Sequence, residues 1–269
     1  MTAGNGEARM EQQRRALTAY VDSVRDDPDV IAVVLVGSVA RGRERADSDV
    51  DVYLVVSEER FARETGAGRF AWVERRGADY PGSYIDIKLA SPAYLDAAAV
   101  RGDDPTRASF QGAEVVFARQ DDIEPLVRRI PQLADDAWDE RVRSYVAQAR
   151  LYGGYFLPQG VEHGDPFLVR HAAVHLALAA ARAALAKGHV LMQGPKYVSR
   201  LLRSVPTPDG FVDAWDRAVM EPGTATAEPL LNLLDEWLAD GMDGDQALSI
   251  FIRDNELVWL RGGVPAEFS

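Results

Sequence analysis

Two continuous apolar runs, Val33–Val36 and Val52–Val56, lie within the single stretch VVLVGSVARGRERADSDVDVYLVV. Runs this short, rich in β-branched residues and bounded by glycine, serine and acid, fit buried strands better than helices. Asp49 and Asp51 stand at the entrance of the second run, only two residues apart. An ordinary hairpin needs neither a Gly-Ser corner nor carboxylates leading into a core strand.

The rest of the first half follows the same alternation of patterns. A helix is expected over residues 8–25, with Leu17, Val21 and Val24 at helical spacing, ending at the DDPD turn. Strands are expected at Ile31–Val36, Asp49–Val56, Phe70–Glu74, in SYIDIKLA from Ser83, and at Ala113–Ala118, with helices at Glu58–Thr65 and in SPAYLDAAAV. Strand patterns stop near Asp121. Helical segments then follow at Ala137–Phe156, Pro166–Lys187, Lys196–Arg203, Gly210–Met220, Ala227–Leu238 and Gln246–Leu260, separated by turn sequences such as PQGVEHGDP and PTPDG. The expected fold class is α+β, a mixed sheet with flanking helices in residues 1–125 followed by a helical bundle in 126–269.

Composition bounds the partners. The 269 residues are 47% hydrophobic and 27% charged, with ample material for a core. There are no cysteines, which removes disulfides and thiolate metal sites and fits a reducing, cytoplasmic setting. No uninterrupted apolar run approaches the ~20 residues that span a bilayer, and the N-terminal MTAGNGEARMEQQRR lacks the apolar core of a signal peptide. With 42 acids against 30 bases the formal charge is −12. Such a surface disfavours extended nucleic acid and favours a cationic small molecule.

On a strand successive side chains take opposite faces. Asp49, Asp51 and Tyr53 therefore share one face, and Tyr84, Asp86 and Lys88 share one face of theirs. If the two strands are neighbours, three carboxylates meet on one polar patch, and they cannot all stay ionised without counter-charge. A Mg²⁺ ion, or two, is the economical answer, because oxygen-only ligands suit that cation. Gly37 and Ser38 form a corner whose N–H groups and hydroxyl could cradle phosphate. Phosphate cradle and metal ligands together are equipment for phosphoryl or nucleotidyl transfer.

The pattern Gly37-Ser38, then Gly42, then Ser48-Asp49-x-Asp51, with Asp86 on a later strand, resembles the signature of the nucleotidyltransferase superfamily typified by DNA polymerase beta. With the helical half added, the chain resembles two-domain antibiotic nucleotidyltransferases acting on aminoglycosides or lincosamides. The resemblance implies that Asp49 and Asp51 hold two metals and Asp86 one of them. It implies phosphate contacts from Gly37 and Ser38, with Arg41, Gly42 and Ser48 beside them, and an NTP, most simply ATP, as donor. It also implies that Gly164-Asp165 and Lys196 of the helical half approach the substrates. Asp165 precedes Pro166 and serves equally well as a helix N-cap, and Lys196 could be a solvated residue. Glu162 and Asp165 are the candidates for a general base, by chain position only.

His171 and His175, four apart, have a metal-ligand spacing, but no third ligand is evident and interior residues are the simpler reading. Arg41, Arg43 and Arg45 default to a solvated loop beside the phosphate corner, from which one could reach the nucleotide. The expected activity is Mg²⁺-dependent transfer of a nucleoside monophosphate from NTP to a small-molecule hydroxyl, an aminoglycoside-like antibiotic being one acceptor. Two alternatives are transfer to a partner protein, as in antitoxins that adenylylate a toxin, and a nucleotide-binding regulatory module without catalysis.

Overall fold

The computed structural model describes residues 3–42, 49–75 and 84–266, with side chains from residue 12 onward. Its contacts divide the chain after Gln132 into two compact units. The boundary expected at 125/126 falls inside a helix of the first unit.

The first unit runs α1 (Ala3–Val24), β1 (Val30–Val36), α2 (Gly37–Ala40), β2 (Val50–Val56), α3 (Glu58–Gly66), β3 (Ala71–Glu74), β4 (Ile85–Ala90), α4 (Pro92–Arg101), α5 (Asp104–Ser109), β5 (Glu114–Ala118) and α6 (Ile123–Arg129). The five strands form one mixed sheet in the order β3-β4-β2-β1-β5. Only the β2–β4 pair is parallel; β1–β2, β1–β5 and β3–β4 are antiparallel. The valine-rich β1 and β2 are central strands, buried along almost their whole length, as unbroken apolar runs require.

Each face of the sheet has its own core. On one side Val33, Leu35, Val52, Leu54, Ile85 and Ile87 pack with Leu17, Tyr20 and Val21 of α1. On the other, Val34, Val36, Tyr53 and Val55 pack with Leu95 of α4, Phe110, and Ile123 and Val127 of α6. Strand alternation assigns Asp51 and Asp86 to this second side, at the edge where the apolar packing ends. Ser91 caps α4 by accepting a hydrogen bond from the Tyr94 N–H, with Pro92 in the first turn.

Two helices of this layer, α5 and α6, are absent from the sequence expectations. Arg107 of α5 is 3% exposed. Its guanidinium donates to the carbonyls of Gly102 (2.8 Å), Ile130 (2.8 Å), Gln132 (3.2 Å) and Ala99 (3.0 Å). A guanidinium with its donors shared among carbonyls tolerates burial, and here it ties α4, α5 and the end of α6 together.

The second unit is helical: α7 (Asp135–Leu151), a π-helical turn (Tyr152–Phe156), α8 (Leu157–Glu162), α9 (Pro166–Lys187), a 3₁₀ turn (Pro195–Tyr197), α10 (Val198–Leu202), α11 (Phe211–Met220), α12 (Thr224–Leu238) and α13 (Gly244–Phe251), with π and 3₁₀ turns over Ile252–Glu256 and Val258–Arg261. The helix expected to run unbroken to Phe156 instead widens at YGGYF. Pro158 in the next turn has no N–H for the regular ladder, and PQGVE continues as α8 rather than as a turn. A Cβ on Gly153 would lie 2.8 Å from Leu231 Cδ1 and 3.0 Å from Leu176 Cδ1, so glycine is what lets α9 and α12 close on this turn.

α9 is the axis of the unit. By length and average hydropathy it could cross a membrane, yet 61% of its most apolar window is buried inside the protein. Its alanine-rich face lets neighbours approach closely, and Trp215 of α11 donates its indole N–H to the Ala177 carbonyl at 2.7 Å.

Candidate active site

The site begins with one register. β1 and β2 pair antiparallel so that Val36 lies opposite Asp51, and the chain leaves β1 through Gly37. Gly37 has φ +78°, and a Cβ built on it would sit 2.2 Å from Asp51 Oδ2, 2.9 Å from its Cγ and 3.0 Å from its Cβ. The Gly-Ser corner therefore passes directly over the Asp51 carboxylate. Both the backbone conformation and the space above the acid require glycine.

The parallel β2–β4 pair then sets Asp51 opposite Asp86 as Cα partners. Asp49, half-buried, immediately precedes β2. Burial first, then the charges of Asp49 and Asp86, push the Asp51 carboxyl up from its ordinary 3.8 to about 6, while Lys88 and Arg41 pull it the other way. Asp49 accepts a hydrogen bond from the Tyr84 phenol, which raises that hydroxyl's pKa. The side chains do not, however, converge as far as expected. Among the described residues no three carboxylate or imidazole groups lie close enough to hold one ion. The backbone brings Asp51 and Asp86 side by side as Cα partners, with Asp49 immediately before β2.

A divalent cation nevertheless fits the residues present. The donors are oxygen only, they come from neighbouring strands, and the space over Asp51 is held open by a glycine that a Cβ would fill.

Around this patch, Ser38 lies half-buried in α2, and Arg41 donates to the Ala108 carbonyl at 3.4 Å. Gly42 has φ +60° where α2 turns out. Ser48, Arg43 and Arg45 lie outside the described residues. Tyr84 and Lys88 belong to the site although the sequence reading gave them only a shared face. The pattern Tyr-x-Asp-x-Lys on one strand face was the available signal.

The remaining candidates belong to the second unit. Asp165 is the N-cap of α9, its Oδ1 accepting from the N–H groups of Phe167 (2.9 Å) and Leu168 (3.1 Å). Glu162 is exposed at the last residue of α8. Lys196 is exposed on the 3₁₀ turn, its Nζ 4.8 Å from the centre of the Tyr197 ring, which Arg200 also faces at 5.0 Å. His171 and His175 lie on α9 with ring centres 4.3 Å apart.

Residues 17–98 match the family model described as a nucleotidyltransferase domain. Residues 17–98, which hold the Gly37 corner, Asp49, Asp51 and Asp86, thus carry a nucleotidyltransferase domain, and nucleotide transfer is the activity such a domain supports. Among solved structures, a nucleotidyltransferase-like protein from Exiguobacterium sibiricum 255-15 is 13% identical, with a TM-score of 0.49 over 93% of this chain and 87% of that one. No curated protein sequence matches the chain.

Proposed function

We propose that the enzyme transfers a nucleoside monophosphate from a nucleoside triphosphate, ATP in the simplest case, to a hydroxyl of a small molecule. The observation that carries this reading is the Gly37 corner lying over Asp51 with Asp86 as its cross-strand partner. The acceptor oxygen forms a bond to the α-phosphorus, the bond between that phosphorus and the bridging oxygen breaks, and pyrophosphate leaves.

Asp49, Asp51 and Asp86 are the residues that would hold Mg²⁺, one ion or two. When bound, the metal supplies positive charge to the triphosphate and to the attacking and leaving oxygens. Gly37 and Ser38 offer N–H and hydroxyl donors to phosphate oxygens, and Arg41, half-buried beside them, adds cationic character. Lys88 offsets part of the carboxylate charge from the sheet side. Glu162 and Asp165 are the proposed takers of the acceptor's proton, on chain position alone.

The test uses the intact protein with Mg²⁺ and each NTP labelled at the α-phosphate, against a panel of hydroxylated small molecules including aminoglycosides. Transfer of label to an acceptor, with one pyrophosphate per product and loss of transfer in Asp51→Asn, is expected. Label transferred only to protein would instead mark a protein-modifying enzyme.

A further inference from the structure

Four rings form a ladder along α9. Tyr152 is buried and stacks on His175 at 4.4 Å and 20°. His175 meets His171 at 4.3 Å, and His171 stacks on Phe167 at 5.7 Å and 15°. The ladder starts in the core and ends at Phe167, which is 75% exposed. Positions 167, 170, 171, 174 and 175 make one helix face, which core helices bury. Here it lines an open hollow of about 540 Å³ bounded by Pro166, Phe167, Arg170, His171, Val174 and His175.

We infer that this face binds the planar aromatic part of a small anionic molecule. This binding stands apart from the activity proposed above. Near-parallel offset rings are a preferred aromatic geometry, and the outer face of Phe167 continues the stack. Val174, 64% exposed, offers an apolar wall about two turns further on.

Charge decides the sign. Arg170 donates to the Pro166 carbonyl at 3.3 Å and has no ion pair among the described residues. It also borders an adjoining hollow of about 350 Å³. None of the residues bounding the larger hollow is an acid. Asp165 at the smaller one is engaged as the α9 cap, and Asp235, at a third hollow, is ion-paired with Arg150 at 2.8 Å. A polycation in the larger hollow would meet an arginine and no carboxylate, at a high cost in unpaired charge. The net charge of −12 favours a cation at long range, but the groups in contact favour an aromatic acid.

Three probes test this by calorimetry and proton NMR on the intact chain: naphthalene-1-sulfonate, cyclohexanesulfonate and 1-naphthylmethylammonium. The aromatic sulfonate should bind at least tenfold more tightly than either of the others and move the His171 and His175 Cε1–H signals upfield. Phe167→Ala and Arg170→Gln, both at exposed positions, should each weaken it about tenfold. Equal affinity for cyclohexanesulfonate, equal affinity for the ammonium, or indifference to Phe167→Ala would overturn the assignment. A dimer of the wild type that Phe167→Ala dissociates would also overturn it, giving the face to a second copy. Mg·ATP binding, measured separately on the wild type, tests the transfer reading, so either can fail alone.

Discussion

Replacing Gly37 by alanine should reveal how tightly the phosphate corner and the metal-binding carboxylate depend on each other. A methyl at φ +78° costs about 1–2 kcal/mol of backbone strain. Alanine recovers about 0.4–1 kcal/mol by restricting the unfolded chain. The contact is the larger matter. A methyl 2.2 Å from Asp51 Oδ2 forces the carboxylate aside by about an ångström, since ordinary contact begins near 3.4 Å. Holding that side chain off its rotamer costs roughly 0.5–1.5 kcal/mol. Gly37→Ala should therefore destabilise by about 1–2 kcal/mol in the wild type. In an Asp51→Ala background the Oδ2 and Cγ contacts vanish, and the cost should fall to about 0.5–1 kcal/mol. Urea denaturation of the four proteins in EDTA gives the coupling energy, expected near 1 kcal/mol. Mg·ATP affinity should fall in Gly37→Ala as well, because the ligand is displaced. A coupling below about 0.3 kcal/mol would mean that the corner does not lie over Asp51, and the site would have to be redrawn.

Asp51→Asn should flatten the pH dependence of metal-free stability. The folded carboxyl is raised to about 6, so stability is lost as pH climbs from about 4 to 6, by up to ~3 kcal/mol, and Asn removes that loss; urea midpoints at pH 4.5 and 7.5 check it. Arg107→Met should destabilise by roughly 3 kcal/mol or more, because four carbonyls lose a common donor, as thermal unfolding would register. Glu162→Gln and Asp165→Asn should lower kcat or raise the acceptor's KM and leave Mg·ATP affinity nearly unchanged. Equal loss of both ligands would refute that division of labour.

Much of the site was legible in the sequence because strand periodicity is rigid. DVDVYLVV and YIDIKLA alternate so cleanly that Asp51 and Asp86 could be given a face before any pairing was known. Their partnership needed the parallel β2–β4 register, and the contact between Gly37 and Asp51 needed the antiparallel one; neither is encoded locally. α5 went unread because DPTRAS is short and polar, although Asp103 as cap and Pro105 in the first turn were visible signals. α8 was hidden by a Pro-Gln-Gly that looks like a turn. The ring ladder was visible only as a histidine pair, since Tyr152 and Phe167 join it through packing.

The Arg107 clamp determines where this chain can be severed. Two of the four carbonyls it holds belong to Ile130 and Gln132, beyond the last strand and helix of the first unit. A fragment ending at Gln132 carries all the acceptors its buried guanidinium requires. One trimmed to residue 125 keeps every strand of the sheet and Asp49, Asp51 and Asp86, yet leaves a cation in its interior with half its partners gone. The closure of the first unit around its buried arginine is thus a property of its seven final residues, which hold none of the candidate metal ligands.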